Sequence, residues 1–195
     1  MNRLIFATHN PHKVAEMQSA IGRQFELISL DQAGIKTVIP EPHDTLEDNA
    51  SEKSKKINEL TGLDCFAEDT GLETIALHGE PGVSSARYAG DERDFEKNID
   101  LLLSRLSSFS DRKARFRTVI SLIFHGKEYF FEGICEGEIL FERKGLQGFG
   151  YDSVFLPQGS GKSFAEMSLV EKNKYSHRKK AADKLTAFLS LHATQ

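Results

Sequence analysis

The sequence predicts an α/β protein, and three observations carry that expectation. Leu4-Ile5-Phe6-Ala7 is a short apolar run that passes almost directly into Asn10-Pro11, an N-cap followed by a first helical residue. A second apolar run, in Asp64-Cys65-Phe66-Ala67, stops at Glu68, Asp69, Thr70 and Gly71 and reads as a buried strand. Helical stripes recur at 95, 99, 102, 103 and 106 and again at Ala181, Leu185, Phe188 and Leu189.

The chain has 195 residues, 39% hydrophobic and 28% charged. That suits one domain with its own core, with room for two lobes around a cleft. A net charge of −4 argues against a general nucleic-acid or membrane binder. Cys65 and Cys135 lie in separate strand-like runs and read as reduced core residues. The seven histidines are scattered, without metal-type Cys/His spacing. Only Leu4 to Ala7 are apolar after Arg3, too few for a signal peptide, and no run is long enough to span a bilayer.

In order, the first strand hands over to a helix whose start bears Thr8, Asn10 and Lys13 and whose stripe is Val14, Met17, Ala20 and Ile21. Free amides and the dipole at such a start suit an anion; a capped helix with a solvated lysine is the plainer alternative. Phe25 to Leu30 is a second strand, and 31–44 a loop in which Pro40 and Pro42 stiffen Glu41. Thr45 to Asp48 resembles a capping box with Asp in place of Glu, opening a helix that stops at Gly62. Asn49 and Lys53 share a face of it, while Lys53, Lys55 and Lys56 read as a solvated face. The strand before Glu68 and Asp69 is expected to end there and to bend at Gly71. Adjacent acids point to opposite faces, so only one serves a given cleft. Ligands of open α/β sheets sit beyond the carboxyl ends of the strands.

Leu72 to Leu77 is extended and 78–90 a long loop of turn residues. Residues 114–125 and 128–136 are strands of a hairpin about His125-Gly126-Lys127. Gly148 and Gly150 flank Phe149, whose ring either stacks on a planar ligand or plugs the core. Ser168 to Glu171 is another capping-box pattern, and Ser176-His177-Arg178 opens the last helix. Basic residues there oppose the helix dipole, which a bound anion would relieve.

Four separated motifs together resemble the Ham1/RdgB-type inosine triphosphate pyrophosphatases. They are Ala7 to Lys13; Glu47-Asp48-Asn49-Ala50 with Lys53; Glu68 to Leu72 with Pro81 to Val83 and Ser85 to Gly90; and Gly148 to Asp152 with Phe164 to Met167 and Ser176 to Arg178. The resemblance implies an elongated mixed β-sheet flanked by helices, two lobes around a central cleft, and a homodimer. It implies Mg²⁺-dependent hydrolysis of ITP, dITP and XTP to the monophosphate and pyrophosphate. By position, Thr8, His9, Asn10, Pro11, His12 and Lys13 hold phosphates, with Lys53 nearby. Glu41 and Asp69 bind the metal, Asp69 is general base, and Thr70 touches substrate. Phe149, Gly150, Tyr151, Asp152, Lys172, His177 and Arg178 hold base and sugar. Ser84 and Ser153 depart from the tyrosine and proline usual in that family. The rival readings are a Maf-type nucleotide pyrophosphatase and an RNA-binding module using Lys172 to Lys180.

Overall fold

The structure, a computed structural model, describes residues 2–23 and 25–192. The chain runs β1 (Asn2–Phe6), α1 (Pro11–Ile21), β2 (Phe25–Ser29), α2 (Leu46–Thr61), β3 (Cys65–Thr74) and β4 (Pro81–Gly82). Then follow α3 (Phe95–Arg105), β5 (Lys113–Phe124), β6 (Lys127–Ile139), β7 (Phe155–Pro157), α4 (Leu169–Lys172) and α5 (His177–His192). Among the described residues the strands form one mixed sheet in the order β2-β1-β3-β5-β6-β7, with β4 on β3. β1 pairs parallel with β2, Leu4 opposite Leu27, and parallel with β3, Ile5 opposite Cys65. Parallel neighbours need a crossover, and α1 supplies the one between β1 and β2. β7 runs antiparallel to β6.

The chain divides into two compact units. One comprises residues 1–69, 118–133 and 178–195; the other 70–117 and 134–177. In the first, the period of two along β1 serves two apolar clusters. Leu4 and Phe6 join Met17, Ile21, Leu27, Phe66 and Leu185. Ile5 and Ala7 join Leu30, Ile57, Cys65 and Ala67. The Phe6 and Phe66 rings stack with centroids 4.5 Å apart. In the second unit Leu72, Ile99, Leu102, Leu106, Phe116, Phe155 and Phe164 pack together.

Local signals placed most element ends. Asn10 caps α1 and Pro11 is its first residue. Thr45 accepts from the Asp48 N–H at the start of α2, and Gly62 closes that helix in the left-handed region. The Thr45 hydroxyl in turn donates to the Asp48 carboxylate at 2.7 Å. The β5–β6 hairpin turns at His125 and Gly126, both at positive φ. Ser168 and Glu171 form a complete capping box on α4.

One expectation fails in an instructive way. β3 does not end at its carboxylates; it continues through Glu68, Asp69, Thr70 and Gly71 to Thr74. Gly71 is extended backbone, not a bend. A Cβ there would lie 2.6 Å from the Gly82 carbonyl oxygen, so the glycine permits the close approach of β4. Leu72 to Leu77 is accordingly extended only to Thr74, and Ile75–Leu77 coils into a 3₁₀ turn.

Candidate active site

Glu68 and Asp69 sit mid-strand on opposite faces of β3, only 2% and 7% exposed. A buried carboxylate needs a cation or donors, and each has its own set. Glu68 faces Arg178 of α5 through a two-pronged contact, Nε to Oε2 and Nη2 to Oε1, both 2.8 Å. Lys13 of α1 approaches the same carboxylate at 3.3 Å. The remaining guanidinium arm, Nη1, donates to Glu16 of α1. Burial alone would lift Glu68, but Arg178 and Lys13 outweigh it and hold its pKa down at about 2. Burial likewise opposes the Arg178 charge, and the two glutamates more than restore it.

On the other face Asp69 meets α2. Lys53, 6% exposed, donates to Asp69 Oδ1 at 3.1 Å, to Glu41 Oε1 at 2.6 Å and to the Glu68 carbonyl at 2.8 Å. Lys53 is therefore not part of a solvated face; only Lys55 and Lys56 remain largely exposed. Burial pulls its ammonium down, yet Asp69 and Glu41 hold it above the ordinary lysine value. Burial, reinforced by Glu41, lifts the Asp69 carboxyl above the ordinary range against the pull of Lys53 and Lys13. Two carboxylates thus converge on one buried ammonium.

The start of α1 differs from the anion cradle expected of it. Asn10 Oδ1 accepts from the His12 and Lys13 amides at 2.9 and 3.3 Å, and Pro11 has no N–H to give. The first-turn amides are thus spent on the cap, and Thr8 Oγ1 takes the Asn10 N–H at 3.1 Å. What this loop presents is the Lys13 side chain. His9 turns to the following loop, with Nδ1 2.7 Å from Asp31 and Nε2 3.1 Å from the Thr37 carbonyl. Carboxylate and carbonyl both only accept, which favours the protonated ring, and the hydrogen bond to Asp31 raises the His9 pKa. Pro11 and His12 are exposed.

The second unit gathers Phe149, Asp152, Lys172 and His177. Positive φ at Gly148 and Gly150 lets the chain turn on either side of Phe149. Buried Asp152 accepts from the Phe149 N–H at 3.0 Å and from Lys172 Nζ at 2.6 Å. That ammonium lies 5.6 Å from the Phe149 ring centroid and 4.9 Å from that of Phe164. Phe149 is half-buried and also 6.1 Å from Phe95, so it is neither a core plug nor a free platform. The buried His177 ring stacks on Phe116 at 4.6 Å. Tyr151 is buried, and its hydroxyl donates to the Ser85 carbonyl at 2.9 Å. Thr70 is half-buried in β3.

A model of the Ham1 family matches residues 4–188. The chain belongs to the Ham1 family. It is 51% identical over 188 residues to a dITP/XTP pyrophosphatase of Christiangramia forsetii, covering 96% of this chain and 99% of that one. The corresponding protein of Porphyromonas gingivalis is 49% identical over 190 residues, with 97% and 98% covered. Among solved structures, the Staphylococcus aureus Ham1 protein aligns with a TM-score of 0.88 at 34% identity, covering 98% of this chain and 100% of that one. A Coxiella burnetii HAM1 protein aligns at 0.87 and 34%, covering 97% and 99%.

In this Ham1-family chain Glu16 carried no expectation from the sequence, whereas Asn49 was placed on the Lys53 face of α2 and Glu68 was one of two acids of which one serves a given cleft. Glu16 lies beside the buried stripe of α1 and one turn from Lys13, a spacing visible in the sequence. Which of Glu68 and Asp69 would serve the cleft was left open by their alternation; the Glu68 partner Arg178 is 110 residues away, which no local pattern reveals. The same pairing bears on Arg178, expected to hold the base: its Nε, Nη1 and Nη2 all donate to carboxylates of the first unit.

Proposed function

We propose that this protein hydrolyses deaminated purine nucleoside triphosphates, dITP, ITP and XTP, to the monophosphate and pyrophosphate. The observation that carries the reading is the cluster of Glu41, Lys53 and Asp69, two carboxylates sharing one buried ammonium. The dITP/XTP pyrophosphatases of C. forsetii and P. gingivalis support the substrate class.

In the reaction, a water oxygen bonds to phosphorus, the α–β anhydride bond breaks and pyrophosphate leaves. Asp69 takes the proton released by the water. Its carboxyl is already held above the ordinary range by burial, which brings it closer to the affinity a general base needs near neutral pH. Lys53 and Lys13 offset charge that accumulates on phosphate oxygens. Glu41 and Asp69 would hold Mg²⁺, which when bound screens the phosphates and polarises their oxygens. Two carboxylates suit that ion, which completes its shell from phosphate and water. Among the described residues no group of three or more His, Cys, Asp or Glu forms a closed metal cage. Half-buried Phe149 offers a ring face to the base and Lys172, fixed by Asp152, a cation beside that ring, while His177 packs against Phe116.

Arg178 acts on this reading through Glu68, holding β3 and Lys13 in place rather than selecting the base. The two-copy assembly and a cytoplasmic setting belong to the same proposal, on the family resemblance and on two buried cysteines that no disulfide joins. No described helix is long and apolar enough to cross a membrane.

The test is kcat/KM for dITP, XTP, dATP and dGTP with Mg²⁺, in wild type and Arg178→Ala. A wild-type preference for dITP and XTP is expected. The variant should lose activity on all four by a similar factor. Equal wild-type values across the panel would defeat the substrate assignment.

A further inference from the structure

Residues 35–42 carry no regular secondary structure, yet they include Glu41, which must be held against Asp69. Such a segment is positioned by side chains that reach it. Asn49, in the first turns of α2, is 0% exposed. Its Oδ1 accepts from the His43 N–H at 3.0 Å, and its Nδ2 donates to the His43 carbonyl at 3.0 Å. The same Nδ2 lies 3.4 Å from Asp69 Oδ2. The amide orientation follows from these partners. Turned over, Oδ1 would face a carbonyl and a carboxylate, both acceptors, and Nδ2 would face an N–H. Lys53, one turn further along α2, holds the other Asp69 oxygen and Glu41.

We propose that Asn49 is a positioning residue for the reaction: its amide ties the backbone of the Glu41 segment to the Asp69 carboxylate. This rests on the pyrophosphatase reading for the roles of Glu41 and Asp69, but the tether itself is a property of the fold. Hydrogen bonds to both the N–H and the C=O of one residue, His43, fix position and rotation of the segment two residues beyond Glu41. The third sets the plane of the Asp69 carboxylate against Lys53. A helix supports both carboxylates at once, and helices hold geometry more closely than loops.

Asn49→Ala tests it by amide hydrogen exchange with mass spectrometry, alongside dITP kinetics at saturating Mg²⁺. Exchange should quicken in residues 35–44 while peptides from β1, β3 and the C-terminal half of α2 keep wild-type rates. In the same preparation kcat should fall about tenfold or more with KM changed less than about threefold, the pattern of misplaced reacting groups. Unchanged exchange in 35–44, or uniform acceleration with kcat per folded molecule intact, would overturn the proposal. Should Asn49→Ala not fold, His43→Pro removes the N–H that Oδ1 accepts while leaving α2 whole. The same local acceleration and kcat loss are then required, and their absence overturns it equally. If wild type does not turn over dITP, the pyrophosphatase reading fails, while the exchange result still decides the tether.

Discussion

Glu68 is the residue on which burial and charge compete most openly. Its carboxylate is nearly sealed from water and stays ionised because Arg178 and Lys13 face it, at a pKa of about 2 against an ordinary 4.5. A carboxylate depressed in the folded state contributes stability that is full above the unfolded pKa and lost as pH falls through the folded one. The window is therefore pH 4.5 down to 2, and the size about 3 kcal/mol. Urea denaturation across that window should show wild-type stability falling steeply. Glu68→Gln should start lower, because Arg178 loses a carboxylate, and should fall less steeply. Parallel curves for the two proteins would contradict the pairing. The sequence showed that two adjacent acids must part company at a strand. It gave no sign of which cation each would meet, because Arg178 and Lys13 approach Glu68 from opposite ends of the chain.

At the scale of elements, the caps and turns were legible because their chemistry is local. Asn10-Pro11, Thr45 with Gly62, and His125-Gly126 each settle backbone groups within a few residues. Strand length was not legible at Gly71, where the deciding neighbour is Gly82 on another strand. The same holds for Lys53: its place on α2 was plain from the sequence, but its burial depends on β3 and the Glu41 loop arriving around it. Gly71→Ala should therefore destabilise by about 1–3 kcal/mol, since the new methyl meets backbone that cannot rotate away. A urea midpoint within error of wild type would show that β4 yields freely, and Gly71 would revert to an ordinary strand residue.

At the scale of the molecule, each of the two units holds its own set of charged groups. The first carries Lys13, Glu41, Lys53 and Asp69; the second carries Phe149, Asp152, Lys172 and His177. The chain is net negative, as is a triphosphate, so on the proposed function attraction rests on a few placed cations rather than on the overall field. Each of them already has a carboxylate partner: Glu68 for Lys13, Glu41 and Asp69 for Lys53, Asp152 for Lys172. On the proposed function, substrate binding exchanges partners on these groups, and Asp69 takes the proton. The most direct measurement follows the products of dITP with Mg²⁺, in wild type and in Asp69→Asn. Wild type should release pyrophosphate and dIMP in equal amounts with no dIDP, and Asp69→Asn should still bind dITP while losing nearly all turnover. Accumulation of dIDP with orthophosphate, or near-normal turnover in Asp69→Asn, would contradict the account.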